Sequence, residues 1–221
     1  ESVVIPDSVI SIGNFAFYFC TSLESVVIPN SITSIGNSAF SSCTSLESVV
    51  IPDGVTSIGN ETFYYCKKMA EFFIPSSVTS IDGNPFVGCE QLRRIEVAEG
   101  SNHFKVVDGV LFNKEMTHLI SYAACTKSRY KIPHSVDFIG CNAFSCCNAL
   151  KSVVIPDSVS SIGCNAFSYC NALTSVTIPK SVTSIKYQAF WNCNNLRAVT
   201  IPRGLNYPEE VFPDSATIIW Y

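Results

Sequence analysis

The sequence predicts a solenoid, a stack of short, near-identical units whose strands line up in a parallel sheet. Three observations carry this. Ile-Pro recurs every 23 residues, at Ile5, Ile28, Ile51 and Ile74, and again at Ile132, Ile155, Ile178 and Ile201. Around each pair the same apolar residues stand at fixed offsets, and each regular copy carries Ala-Phe-x-x-Cys or a close variant. Self-similarity at a period of this size marks a solenoid, in which each unit stacks on its neighbours because it cannot bury its own apolar face.

Each element of the unit follows from its residue types. Two residues before the reference Ile stand Val3, Val26, Val49, Phe72, Ile95, Tyr130, Val153, Val176 and Val199. The alternation Val-x-Ile has period two, so it predicts a short strand with one face buried. Pro cannot donate to a ladder and ends that strand. Val55 and Ile58, with Ile32/Ile35, Val159/Ile162 and Val182/Ile185, predict a second, weaker extended segment. Gly13, Gly36, Gly59, Gly140 and Gly163 follow as turn signals. Phe40, Cys43 and Leu46 are three apart, a spacing that predicts one or two helical or 3-10 turns with one apolar side. Asn14, Asn37 and Asn60, just before that piece, read as its N-caps.

Taken in order, residues 1–97 hold four close copies and a fifth strand position. Residues 98–131 break the period. Inside them, two apolar runs flank Asp108-Gly109, the strongest short hairpin signal, and His118–Tyr122 is a candidate third strand. Such an insertion is either a binding element or a brace packed on the stack. Residues 132–203 are regular again. Residues 204–221 lose the spacing and read as a C-terminal cap, with Thr217-Ile218-Ile219-Trp220 as a tenth strand and Trp220 and Tyr221 over the last core layer. The reading is one solenoid domain spanning residues 1–221.

Composition narrows the function. The chain has 221 residues, 47% hydrophobic, with 14 basic and 18 acidic residues for a net charge of −4. Nucleic-acid binders are basic overall or carry a dense basic stripe, so no nucleic-acid partner is expected. No apolar run approaches the ~18–20 residues that span a bilayer, so no direct membrane insertion is expected of these residues. The chain opens at Glu1-Ser2-Val3-Val4-Ile5, already inside a repeat. That start reads as a piece of a longer protein, with targeting and anchor segments outside it, and its first strand as an edge open to end-to-end association. Residues 1–66 hold six acids and no Lys or Arg. Glu1, Glu24 and Glu47 share one repeat position, so stacking forms a carboxylate column, either a solvated edge or a site for a cation or basic partner.

Eleven cysteines are present. Cys20, Cys43, Cys66, Cys89, Cys147, Cys170 and Cys193 are locked to the repeat and read as a column of buried thiols. Cys125, Cys141, Cys146 and Cys164 are outside it. Cys141 and Cys164 share a second column on adjacent turns, where a bridge is geometrically open. Cys141, Cys146, Cys147 and His134 lack zinc-ligand spacing. His103, His118 and His134 sit in no nucleophile or metal motif, and no phosphate-binding glycine loop is present, so no catalytic residue, cofactor or metal is expected. The sequon Asn60-Glu61-Thr62 is a glycosylation candidate in a secreted eukaryotic protein, although its Asn belongs to a column that is Asn without a sequon.

The candidate site is the outward row of the strands. Between the two buried positions stand Val4, Val27, Val50, Phe73, Glu96 and Lys131; two residues before them stand Glu71, Arg94 and Arg129 among serines. Val27, Val50 and Phe73 form an apolar stripe rimmed by Glu71, Arg94, Glu96, Arg129 and Lys131. Exposed apolar surface with a charged rim marks a binding patch; the plainer account is that Val is a good strand former.

The pattern Leu-x-x-Val-x-Ile-Pro-x-x-Val-x-x-Ile-Gly-x-x-Ala-Phe-x-x-Cys resembles the BspA-like class of leucine-rich repeat, which occurs in surface proteins of bacteria and parasitic protozoa. The resemblance spans nearly the whole chain. It implies a right-handed leucine-rich-repeat solenoid, α/β by convention, with the parallel sheet on its concave face. It also implies a non-enzymatic role at the cell surface or in secreted form, in adhesion or in binding a host, matrix or other surface protein. A passive stalk and an intracellular scaffold, the latter suggested by the many thiols, are the alternatives.

Overall fold

The structure, a computed structural model, describes residues 1–122 and 127–221; Cys125 lies outside the described residues. The chain folds as two compact units, Glu1–Lys114 and Glu115–Tyr221.

In the first unit, the Val-x-Ile position forms β1 (Ser2–Val4), β3 (Ser25–Val27), β5 (Ser48–Val49), β7 (Glu71–Ile74) and β9 (Arg94–Val97). Pairing is parallel and in repeat register: Val3 opposes Val26, Val26 opposes Val49, and Phe72 opposes Ile95. Except for β9, which Ala98 follows, each strand gives way to its Pro, whose carbonyl then accepts the amide three residues on, as in Val9 to Pro6 (3.0 Å) and Ile32 to Pro29 (3.1 Å). The expected weaker segment is a second parallel sheet of β2 (Ser11–Ile12), β4 (Ser34–Ile35), β6 (Ser57–Ile58) and β8 (Ser80–Ile81). Beside it, threonine hydroxyls tie coil to coil: Thr56 Oγ1 donates to Thr33 O and Thr79 Oγ1 to Thr56 O.

The second unit repeats this plan. One ladder joins β13 (Arg129–Lys131) to β15 (Ser152–Val154), and another joins β17 (Ser175–Thr177), β19 (Ala198–Ile201) and β20 (Thr217–Trp220). Its second sheet runs through β12 (His118–Tyr122), β14 (Phe138–Ile139), β16 (Ser161–Ile162) and β18 (Ser184–Ile185). The strand expected at 118–122 is therefore present, but it pairs parallel with β14 and occupies the second-segment place of an irregular coil. Tyr122 takes the Phe position there: its amide donates to Ala143 O (2.8 Å) and its ring stacks on Phe144 at 5.0 Å.

The expected helical turns are not formed; no described residue is helical. The reason is where the amides go. Along 15–20, the N–H groups of Phe15, Phe17 and Phe19 donate to Asn37, Ala39 and Ser41 of the next coil, whereas those of Ala16, Tyr18 and Cys20 close local turns three residues back. A helix needs every amide for its own chain. Here every second one is spent on the neighbour, and the segment becomes a ribbon of turns. Phe15 and Phe19, with Ser38, Ser42, Glu61 and Tyr65 in the following coils, adopt positive φ of 53–62° to allow this, a region L-residues seldom enter. The asparagines accordingly do not cap helices. Asn14 Oδ1 accepts the Asn37 amide (2.7 Å) and Asn37 Oδ1 accepts that of Asn60 (2.8 Å), a ladder between coils.

The core is the set of columns. Phe17, Phe40, Phe63 and Phe86 pile up at centroid spacings of 5.0, 5.7 and 6.0 Å. In the second unit Phe144, Phe167, Phe190 and Phe212 do the same at 4.7, 4.8 and 5.3 Å. Phe212 joins its column although the spacing has slipped by one residue. Trp220 is 46% exposed and Tyr221 43%, and the Tyr221 hydroxyl donates to Ile178 O (3.0 Å).

Six of the seven column cysteines are buried, and Cys20 is exposed. Each buried thiol looks back along the stack: five donate to the Phe carbonyl of the preceding coil, as in Cys43 to Phe17 O (3.1 Å), Cys66 to Phe40 O (3.2 Å) and Cys193 to Phe167 O (3.0 Å), and Cys147 faces Tyr122 O at 3.7 Å. Burial, reinforced by Cys20 next to it, pushes the Cys43 thiol up to about 12 from its ordinary 9.0, and burial pushes Cys66 up as well. Between about pH 9 and 12 the folded state keeps protons that the unfolded chain has lost, so stability falls as pH rises through that window. Thermal melts across it should show a Tm decline that is shallower in Cys43→Ala than in the parent; equal slopes would remove this column as the cause.

Candidate binding face

The outward positions fall where the pleat puts them. Successive side chains of a strand point to opposite faces, so every second residue, one position from its buried neighbours, stands in solvent. Val27 is 56% exposed, Val50 78% and Phe73 49%, with Val4 at the head of the row. Register sets the rim: Glu71 lies beside Arg94 and Phe73 beside Glu96. Arg94 and Glu96, two apart on β9, form an ion pair on the same outward face. Both are well exposed, so the pair orients charge and adds little stability.

The hairpin is β10 (Phe104–Val107) and β11 (Val110–Asn113), antiparallel from Phe104–Asn113 to Val107–Val110, turned by Asp108 and Gly109 at φ 53° and 81°. Both turn residues at positive φ suit a tight two-residue hairpin. Val110, Leu111 and Phe112 are all buried, so β11 braces the core. The other strand keeps Lys105 in solvent and lines a cleft of about 710 Å³. Phe73, Glu96, Glu99, Ser101 and Lys114 line the same cleft. Lys114 Nζ is anchored on the Ser101 carbonyl. The hairpin thus braces the core and lines the cleft. Glu99, Lys105 and Lys114 were not legible as site residues, because Asp108-Gly109 announces a hairpin without saying which face it folds over.

In the second unit, β13 places Arg129 and Lys131 in solvent on the equivalent outward row, opposite Ser152 and Val154. Val154 is 54% exposed.

The carboxylate column is present as a backbone ladder, Glu24 N–H to Glu1 O and Glu47 N–H to Glu24 O. Its side chains pair outward, Glu24 with the terminal ammonium (3.3 Å) and Glu47 with Lys68 (3.6 Å). Among the described residues no three His, Cys, Asp or Glu side chains converge on a metal-sized site; Cys141, Cys146, Cys147 and His134 are not brought together as one. Burial holds the His118 imidazole below the ordinary range, with Asp137 opposing. Thr62 of the sequon is fully buried, its hydroxyl donating to Gly59 O at 2.7 Å. No helix among the described residues is long and apolar enough to cross a membrane.

The profile of the BspA type leucine rich repeat region matches residues 1–115 and 120–218 in 6 copies. The chain belongs to the BspA-type leucine-rich repeat family. Solved structures agree with this family's fold. A leucine-rich repeat protein from Eubacterium ventriosum aligns over 100% of this chain and 72% of its own, at 28% identity and a TM-score of 0.82. A leucine rich cell surface protein from Faecalibacterium prausnitzii aligns over 99% and 78%, at 25% identity and 0.63. The pneumococcal vaccine antigen PcpA shares the fold at 21% identity and 0.72. No curated protein matches the chain. The BspA-type repeat accounts for the stacked parallel strands, and its bacterial relatives carry the same solenoid.

Proposed function

We propose that this BspA-type repeat region is a non-enzymatic cell-surface or secreted module that binds a protein partner through its outward strand row, the concave face of the solenoid. The observation that carries the reading is the row itself. Val27, Val50 and Phe73 stand in solvent at consecutive rungs, with Glu71, Arg94 and Glu96 in register beside them. A soluble surface gains nothing from an aromatic ring held there, whereas a partner that covers it does. Arg129 and Lys131 stand on the equivalent outward row of the second unit. A surface location draws support from the relative in Faecalibacterium prausnitzii described as a cell surface protein.

The test replaces Val50, Phe73 and Glu96 together with Ser, Ala and Ala and measures binding of labelled protein to cultured epithelial cells and to immobilised extracellular-matrix extract. Truncating a central anchor of an interface typically costs ~2 kcal/mol or more, so binding should fall more than about tenfold. The Tm should barely move, since all three side chains are exposed. Binding by the variant equal to the parent overturns the face. A parent that binds neither surface favours the spacer reading instead.

A further inference from the structure

We propose that Cys141 and Cys164 are a modification site, a dithiol that exchange with a small-molecule disulfide closes into a covalent staple between two neighbouring coils. The inference does not rest on the binding face.

The backbone brings the pair together. β14 and β16 are in parallel register, Ile139 opposite Ile162, and each cysteine lies two residues past that rung. Two hydrogen bonds bracket them: Gly163 N–H to Ile139 O (2.8 Å) and Asn142 N–H to Cys164 O (2.9 Å). The approach is close enough that a Cβ on Gly163 would stand 2.6 Å from the Cys141 nitrogen. Neighbouring strands are ~4.8 Å apart, inside the ~4.4–6.8 Å Cα separation a disulfide spans.

The side chains also interact. In the first unit the same repeat position holds Asn14, Asn37 and Asn60, and the side chains of Asn14 and Asn37 reach along the stack to the next coil. The cysteines occupy that same position, and Cys164 acts on the Cys141 thiol through both its backbone and its side chain. Both are partly exposed and both are thiols in this structure. Column cysteines share the 23-residue offset but differ on each count. Cys43, beside Cys20, is buried and gives its proton to the Phe17 carbonyl. Burial raises the Cys141 thiol, a rise that the Cys164 backbone and Lys186 counter. The thiolate is scarce at neutral pH, and closure is correspondingly slow.

The chemistry balances without a metal. One thiolate attacks an external disulfide RSSR, forming a mixed disulfide and releasing RS⁻, which takes up the proton as RSH. The neighbouring thiol loses its proton and attacks the mixed disulfide on the protein sulfur, releasing a second RSH. The protein pair is oxidised by two electrons, and RSSR is reduced to two RSH. An oxidising exterior drives this direction and a reducing interior reverses it.

The test incubates the full chain with oxidised glutathione, traps remaining thiols by alkylation, and maps non-reduced peptides by mass spectrometry. The expected product is a peptide pair linked through Cys141 and Cys164, with loss of two hydrogens and no retained glutathione. The unfolded chain loses freedom across the closed loop, so Tm should rise by roughly 5–10 °C. In Cys141→Ser the mixed disulfide has no resolving thiol, and Cys164 should keep its glutathione. Separate glutathione adducts on both cysteines of the parent, a link made mainly through Cys20 or Cys146, or two untouched thiols would each overturn the staple.

Discussion

Phe63→Ala should cost about 3–5 kcal/mol, the largest loss available from a single side chain in the first unit. Phe63 is fully buried and stacks on Phe40 at 5.7 Å and Phe86 at 6.0 Å, with Phe72 tilted against it at 5.1 Å. Aromatic pairs add ~0.5–1.5 kcal/mol beyond the area they bury, and this ring makes three. The hole left by alanine does not collapse readily. The Phe40 amide is tied to Thr62 O (2.8 Å) and the Phe63 amide to Pro85 O (2.9 Å), so the coils above and below are pinned at their own spacing. Phe17→Ala, at a less deeply buried position of the same column, should cost less. Urea unfolding followed by circular dichroism separates the two. A Phe63→Ala loss below about 1.5 kcal/mol would mean that the column is decoration on a structure held by its ladders.

Gly59→Ala and Gly13→Ala, one repeat position in two coils, should give opposite results. A Cβ on Gly59 would meet the Asn37 nitrogen and Oδ1 at 2.5 Å and the Gly36 carbonyl carbon at 2.6 Å. These are mostly backbone atoms and cannot swing aside, so the coils must part, and with them the Gly59 N–H to Ile35 O bond of 2.9 Å. A loss of at least ~2 kcal/mol is expected, in the range of overpacked cores. Gly13 has nothing within 4 Å of its Cβ position. Alanine there should be neutral or stabilising by ~0.4–1 kcal/mol, because it narrows the unfolded ensemble. Equal effects at the two positions would place the glycine requirement in local backbone conformation rather than in coil-to-coil contact.

Much of the fold was legible because burial in a stack is periodic. Val3-x-Ile5 and its copies read correctly as strands and the Val-Thr-Ser-Ile segment as a weaker extended piece, since β-branched residues suit a pleat in either setting; that the second piece forms its own ladder came from the structure. Asp108-Gly109 read correctly as a hairpin. The Ala-Phe-x-x-Cys piece misled because a three-residue apolar spacing fits a helical turn and a ribbon of turns equally well. Only the destination of the Phe15, Phe17 and Phe19 amides separates them. A signal was present: Asn142, Asn165, Asn192 and Gly88 stand at the left-handed positions, residues that tolerate positive φ. On the candidate face, Val27, Val50, Phe73, Arg94 and Glu96 were legible from the pleat, whereas the cleft beneath Lys105 was not.

The sequence by itself determined the repeat, its register, the columns of Phe, Cys and Leu, and the outward row, because a unit that cannot bury its own apolar face must place like residues over like. The tertiary structure alone decided where each amide and thiol finds its acceptor. Every second amide of the turn ribbon, the buried cysteine protons and the asparagine side chains all reach a neighbouring coil. Those choices depend on a distance of one strand spacing across the stack, a quantity that no string of residues carries until the coils are laid side by side.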